Sequence, residues 1–172
     1  IKSTKTTLKF ANANKREQLC VFIDEYRDLV KQFIDLLWDE EKIPIFLPKT
    51  ITSQVQTDLS ACSKQCAGKQ ASGLVRGTKR KQQKRLFVFN KLTKEGKHKQ
   101  ARKLKQIIEQ VKTTKPDIQN VEPELDSRFV KQDWNNHTAF DGIISLSAFR
   151  KKLKIAVPIK KSKHFNRLMK QG

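Results

Sequence analysis

Between Asn14 and Trp38 the chain reads "NKREQLCVFIDEYRDLVKQFIDLLW", with Leu19, Phe22, Ile23, Tyr26, Leu29, Val30, Phe33, Ile34 and Leu37 recurring at three- and four-residue steps. That spacing lays one apolar stripe along a single long helix, and any fold of this chain has to bury it. Asn14 with Glu17 three residues on has the form of a capping box at the helix start. Pro44 and Pro48 in "KIPIFLPKT" end the helix, because proline has no amide to donate and clashes with the preceding turn.

A second helix is expected from Thr52 or Ser53, with Val55, Leu59, Cys62, Cys66 and then Gly73/Leu74 facing inward and Ala61, Ala67, Gly68 and Ala71 allowing close approach. It continues into "GLVRGTKRKQQKRLF", where fraying is expected at Gly73 and Gly77, and then into "RLFVFNKL", whose pattern fits a helix or a strand. A third helix is expected over Lys94 to Lys112, with Ala101, Leu104, Ile107, Ile108 and Val111 on one side and Lys97, Lys99, Arg102, Lys103 and Lys105 on the other. After "TTKPDIQNVEPELD" the pattern changes, and "SRFVKQDW", "AFDGIISLSAF" and "KLKIAVPIKK" read as strands, the last with Pro158 marking an edge or a strand end. Thr-rich "STKTTLKF", alternating at Leu8 and Phe10, reads as a short opening strand. The fold class is therefore α+β: a small antiparallel β-barrel built from residues 1–12 and 118–172, with a helical bundle inserted over residues 13–117.

Charge narrows the partner. The 172 residues carry 37 Lys+Arg against 17 Asp+Glu, a formal net charge of +20. The acids crowd into the first third (Asp24, Glu25, Asp28, Asp35, Asp39, Glu40 and Glu41), and none lies between Asp58 and Glu95. Inside that gap stand Lys69, Arg76, Lys79, Arg80, Lys81, Lys84 and Arg85. A disordered tail is disfavoured because Leu74, Val75 and Leu86 to Phe89 bracket the run with core-type residues. A membrane-surface helix needs an apolar face opposite the lysines, and Lys79 to Arg85 offers almost none. Phosphates remain. Arg76, Arg80 and Lys84, at four-residue steps with Lys69 extending the row, form a stripe able to follow a nucleic-acid backbone. No apolar run spans a bilayer and no signal peptide opens the chain, so the expected location is cytoplasmic.

Catalytic chemistry is harder to find. Cys62 and Cys66 have a metal-like gap, but a second pair is missing, and His98, His137 and His164 are dispersed, so no metal or cofactor is expected. Asp24, Asp28 and Asp35 share a helix face but alternate with Arg27 and Lys31, which reads as a salt-bridged solvent face.

The phrases "LKFANANKREQLCVFIDEYRDLVKQFIDLLW", "SQVQTDLSACSKQCAGKQASGLVRGTKRKQQKR" and "FDGIISLSAF...LKIAVPIKKSKHFNRL" together resemble the N-terminal half of TnpB, the transposon-encoded RNA-guided DNA nuclease, and the compact type V CRISPR effectors. The resemblance implies a wedge β-barrel that opens with one strand, is interrupted by a helical recognition domain and resumes as strands. It implies guide RNA and target DNA as partners, with Gln56 on the second recognition helix and Asn135 and Asn136 before a wedge strand approaching the motif beside the target. The family's nuclease is a RuvC domain whose carboxylates bind divalent metal such as magnesium, accompanied by a four-cysteine zinc element. Neither is matched here, which implies a fragment, a split protein working with a RuvC-bearing polypeptide or a second copy, or a nuclease-free descendant. Such a chain binds without cutting. The rival functions are a nuclease-free DNA-binding regulator and a generic RNA-binding protein of ribosomal type.

Overall fold

A computed structural model describes residues 7–112, 114–134, 139–147, 149–150 and 154–170. Helix α1 runs over Ala13–Trp38, followed by the one-turn helix α2 at Lys49–Thr52, the 34-residue helix α3 at Ala61–Lys94 and α4 at His98–Lys112. A 3₁₀ turn at Ser127–Phe129 leads into strands β1 (Val130–Asp133), β2 (Gly142–Leu146) and β3 (Ile155–Ile159), and α5 follows at Lys163–Lys170. The chain divides into two compact units, one of Ile1–Tyr26, Thr57–Cys66 and Pro123–Gly172, the other of Arg27–Gln56 and Ala67–Glu122.

In the first unit the three strands form an antiparallel meander in the order β1-β2-β3. Lys131 faces Ser145, and Ile144 faces Val157. Ile155, Val157 and Ile159 alternate inward along β3, as a period of two requires, and Pro158 is tolerated because β3 is an edge strand. The core is aromatic. Phe149 stacks on Phe22 with centroids 4.1 Å apart and lies 5.9 Å from Phe129, and Tyr26 packs beside Phe22. Ser60 ties this core to the start of α3: its amide donates to the Phe149 carbonyl, and its hydroxyl accepts from the Ser63 amide at 3.0 Å as the N-cap.

The expected barrel becomes, among the described residues, an open three-stranded sheet. Of the expected opening strand, Ser3 to Thr6 lie outside the described residues, and Thr7 to Phe10 do not form a strand. Leu8 and Lys9 are exposed, the Leu8 carbonyl accepts from Ala11 in a turn, and the Thr7 hydroxyl accepts from the Lys9 amide. Local side-chain and turn bonds take the backbone groups that a strand would have paired. The helix cap also moves: Asn12, not Asn14, accepts from the Lys15 amide at 2.9 Å, which starts α1 earlier than the sequence pattern predicts.

In the second unit, Leu29, Val30, Phe33, Ile34 and Leu37 of α1 are buried along with Ala67, Ala71 and Val75 of α3. Small residues let the backbones come close: a Cβ placed on Gly68 would stand 2.8 Å from Leu47 Cδ1 and 3.7 Å from the Phe33 ring. The α3 helix starts later and runs longer than its sequence pattern predicts. Val55 and Leu59 are buried but precede it in an irregular segment, where the Thr57 hydroxyl accepts from the Leu59 amide. Downstream, α3 passes through Gly73 and Gly77 without a break and takes up "RLFVFNKL" as helix. It stops at Gly96, whose φ of 70° is the left-handed conformation that glycine adopts freely. The Gly96 amide donates to the Thr93 carbonyl and the Lys97 amide to the Leu92 carbonyl, the paired bonds of a Schellman stop. Helix α4 then begins at His98, not Lys94, and folds back along α3.

Candidate nucleic-acid interface

Helix α3 carries ten Lys/Arg and no acid. At 1.5 Å per residue, Lys69 to Lys94 span about 37 Å. Lys69, Gly73, Arg76, Arg80, Lys84, Phe87, Lys91 and Lys94 follow one another at three- and four-residue steps, and all are exposed except the half-buried Arg76. The opposite face supplies Ala67, Ala71 and Val75 to the core. The helix is thus amphipathic in an uncommon sense, apolar and small on one side and cationic on the other, with its burial fixing which side chains face water.

The seven basic residues singled out in the sequence separate into groups. Lys69, Arg76, Arg80 and Lys84 lie on this one stripe. Lys81 is exposed on its flank, and Arg85 lines a cavity of about 400 Å³ with Gln82, Leu86 and Phe89 of α3 and Lys105, Ile108 and Glu109 of α4. Lys79 is turned away: half-buried, it donates its ammonium to the Glu40 carbonyl just past α1. A helix advances about 100° per residue, which places Lys79 roughly 60° off the Arg76 side chain and toward the core face. Among the described residues, none of Arg76, Arg80, Lys81 and Lys84 is ion-paired.

Several carboxylates have partners away from the centre of the stripe. Asp35 meets Lys31 at 3.2 Å and Lys115 at 2.6 Å, and the Lys115 hydrogen bond holds its carboxyl below the ordinary range. Glu95 pairs with Lys97 and Lys91 and is lowered mainly by the Lys97 hydrogen bond. Asp126 lies far below the usual carboxylate range because Arg128 donates to it from side chain and backbone. Glu25 is paired with Arg150. Within the stretch without acids, Lys91 is met by Glu95 at its end, whereas Arg76, Arg80, Lys81 and Lys84 face no carboxylate among the described residues.

No catalytic constellation emerges among the described residues. No group of three or more His, Cys, Asp or Glu is placed to hold a metal ion there. Cys66 is buried with its Sγ 3.6 Å from Asp126 Oδ2, and burial pushes its thiol pKa up, away from nucleophilic reactivity. Cys62 is half-buried and Cys20 exposed. The buried Tyr26 phenol, its hydroxyl 3.4 Å from the Glu124 carbonyl, is likewise raised by burial.

Of the residues expected near a target-adjacent motif, only Gln56 lies within the described residues. Gln56 is exposed but lies in the irregular segment before α3, not on a helix, because the cap at Ser60 sets the helix start beyond it. Asn135 and Asn136 lie outside the described residues.

Sequence reasoning missed α5, whose signal is Ser162: its hydroxyl accepts from the Phe165 amide at 3.0 Å as an N-cap. It also missed an aromatic pair formed by Trp134 and Phe165, 5.2 Å apart, with the Lys161 ammonium over both rings. No helix among the described residues is long and apolar enough to cross a membrane. No protein-family model, curated protein or solved structure matches this chain.

Proposed function

We propose that this chain binds nucleic acid along α3, as the guide-RNA and target-DNA binding part of an RNA-guided DNA endonuclease of the kind its sequence resembles. The observation that carries the proposal is the row Lys69, Arg76, Arg80 and Lys84, one stripe on a helix that carries no acid, three of its members exposed. Such a row is costly to keep. Like charges four residues apart on a helix each destabilise it by about 0.2–0.5 kcal/mol, and Gly73 and Gly77 within the helix each cost about 1 kcal/mol relative to alanine. A polyanion removes the repulsion, because each phosphate neutralised releases condensed counterions.

On this proposal the sheet of the first unit is part of the wedge that holds the guide scaffold, and α3 with α4 lines the channel for the guide–target hybrid. Base pairing supplies sequence, and the protein supplies backbone grip. The test is to express the chain in its native genetic neighbourhood, purify it, and sequence the RNA that comes with it. A single structured species with a guide-like end is the expected result. Bulk ribosomal RNA would instead favour an RNA-binding protein of ribosomal type, and absence of any RNA would refute the proposal.

A further inference from the structure

Two large aromatic side chains of the second unit stand in water. Phe46 is 73% exposed and Phe87 is 70% exposed. One lies on the basic stripe and the other beside its first member. Phe87 lies on it between Lys84 and Lys91, and the Lys69 ammonium sits 5.9 Å from the centroid of the Phe46 ring. Along the α3 axis, Lys69 and Phe87 are about 27 Å apart.

Phe46 is exposed by construction, not by looseness. On one side of it, Ser72 donates its hydroxyl to the Pro44 carbonyl. On the other, Leu47 fills the space above Gly68, where a Cβ would stand 2.8 Å from its Cδ1. Pro48 then starts α2, its carbonyl accepting from the Ile51 and Thr52 amides. With Pro44 and Leu47 held, Ile45 and Phe46 between them stand exposed, the Phe46 ring beside Lys69.

We propose that Phe46 and Phe87 are stacking platforms for unpaired bases of a single strand whose phosphates lie along Lys69, Arg76, Arg80 and Lys84. The proposal rests on the nucleic-acid reading above and narrows it: the strand lying on the α3 row is an unpaired stretch of guide or target outside the hybrid. In a duplex the base faces are covered by their neighbours and only the backbone is within reach. An unpaired strand offers both phosphates and open π-faces, which a cationic row with interspersed rings matches. An apolar protein partner fits the surface badly, because covering either ring would also desolvate the adjacent cations without an acid to pair them.

The test is fluorescence anisotropy of the full chain with a labelled oligouridine about twelve nucleotides long, its oligothymidine counterpart, an abasic strand of equal length and a blunt hairpin whose loop is a base-free ethylene-glycol linker. Phe46→Ala and Phe87→Ala should each weaken binding to the base-bearing strands about 5- to 100-fold, while Phe46→Trp and Phe87→Trp retain it. The salt slope should stay unchanged, since no charge is removed. Binding to the abasic strand and the hairpin should be the same for wild type and variants. A preference between the two base-bearing strands identifies RNA or DNA as the source of the single strand, and equal loss on both supports the platforms equally. If both alanine variants bind the base-bearing strands like wild type while Arg76→Gln/Arg80→Gln/Lys84→Gln lowers the salt slope, the platforms are refuted and the phosphate stripe stands. Equal losses on the abasic strand or hairpin would also overturn them. If wild type binds none of the four, both proposals fall.

Discussion

Replacing Arg76, Arg80 and Lys84 together by glutamine removes the centre of the α3 stripe while keeping length and hydrogen-bonding capacity. If each contacts one phosphate, three counterion-releasing contacts are lost. The slope of log K against log salt should then become shallower by about 2.7 for a duplex, or about 2.1 for a single strand. Over the fourfold salt range from about 50 to 200 mM, a 2.7-unit change amounts to a wild-type-to-variant affinity ratio that shrinks about 40-fold. Stability should move the opposite way. The pairs Arg76–Arg80 and Arg80–Lys84 are like-charged four-residue neighbours, so their removal should stabilise the folded chain by up to about 0.4–1 kcal/mol. Lys79→Gln is the internal control: its ammonium is engaged at the Glu40 carbonyl, so the slope should be unaffected. The assay is a filter-binding or anisotropy titration at several salt concentrations, with urea unfolding of the same samples. An unchanged slope in the triple variant, or an equal change in Lys79→Gln, would refute the assignment of these three side chains to phosphate contact.

The glycine inside α3 and the glycine that stops it should respond to alanine with opposite signs. Gly77→Ala, with nothing within 4 Å of the added methyl, should raise stability by about 1 kcal/mol, whereas Gly96→Ala should lower it by about 1–2 kcal/mol because φ is 70° there. Equal responses in urea unfolding would contradict a helix that runs through Gly77 and stops at Gly96. Phe149→Ala opens a cavity between Phe22 and Phe129 and should cost about 3–5 kcal/mol, against no more than about 0.5 kcal/mol for the exposed Phe87→Ala. For Asp35, the folded pKa is depressed, so the contribution of its pairs is fully present above the unfolded carboxyl pKa of about 3.9 and is lost as pH falls through the folded value. Lys115→Met should move the Asp35 titration upward in a carboxyl ¹³C NMR experiment. A midpoint that does not move would exclude the Lys115 contact.

How far the sequence disclosed this structure depended on whether the deciding interactions were periodic or local. The stripe from Leu19 to Leu37 is buried at every position except the half-buried Ile23, because a 3.6-residue period leaves few other ways to hide that much apolar surface. The strands over β1, β2 and β3 were legible, the last as alternation, with Pro158 pointing to an edge or a strand end. Boundaries were not legible, because single side chains decide them. Asn12 captures the Lys15 amide and sets the start of α1, Ser60 sets that of α3, and Gly96 ends α3. Each competes with neighbouring Ser, Thr, Asn or Gly residues that carry the same local propensity. The glycines at 73 and 77 pointed toward fraying, yet burial of Ala67, Ala71 and Val75 and of nearby α1 residues outweighs about 2 kcal/mol of propensity. Of the candidate site, the row Lys69, Arg76, Arg80 and Lys84 was readable as spacing. The engagement of Lys79 by Glu40 and the outward hold on Phe46 depend on tertiary neighbours that one-dimensional patterns do not contain.

The most direct measurement is equilibrium binding of the purified wild-type chain to single-stranded and duplex nucleic acid in dilute buffer, repeated across a salt series. Binding that tightens steeply as salt is lowered, with a slope corresponding to several phosphate contacts, is the expected result. Affinity that is absent at low salt, or indifferent to salt, would contradict the claim that α3 is a phosphate-binding helix.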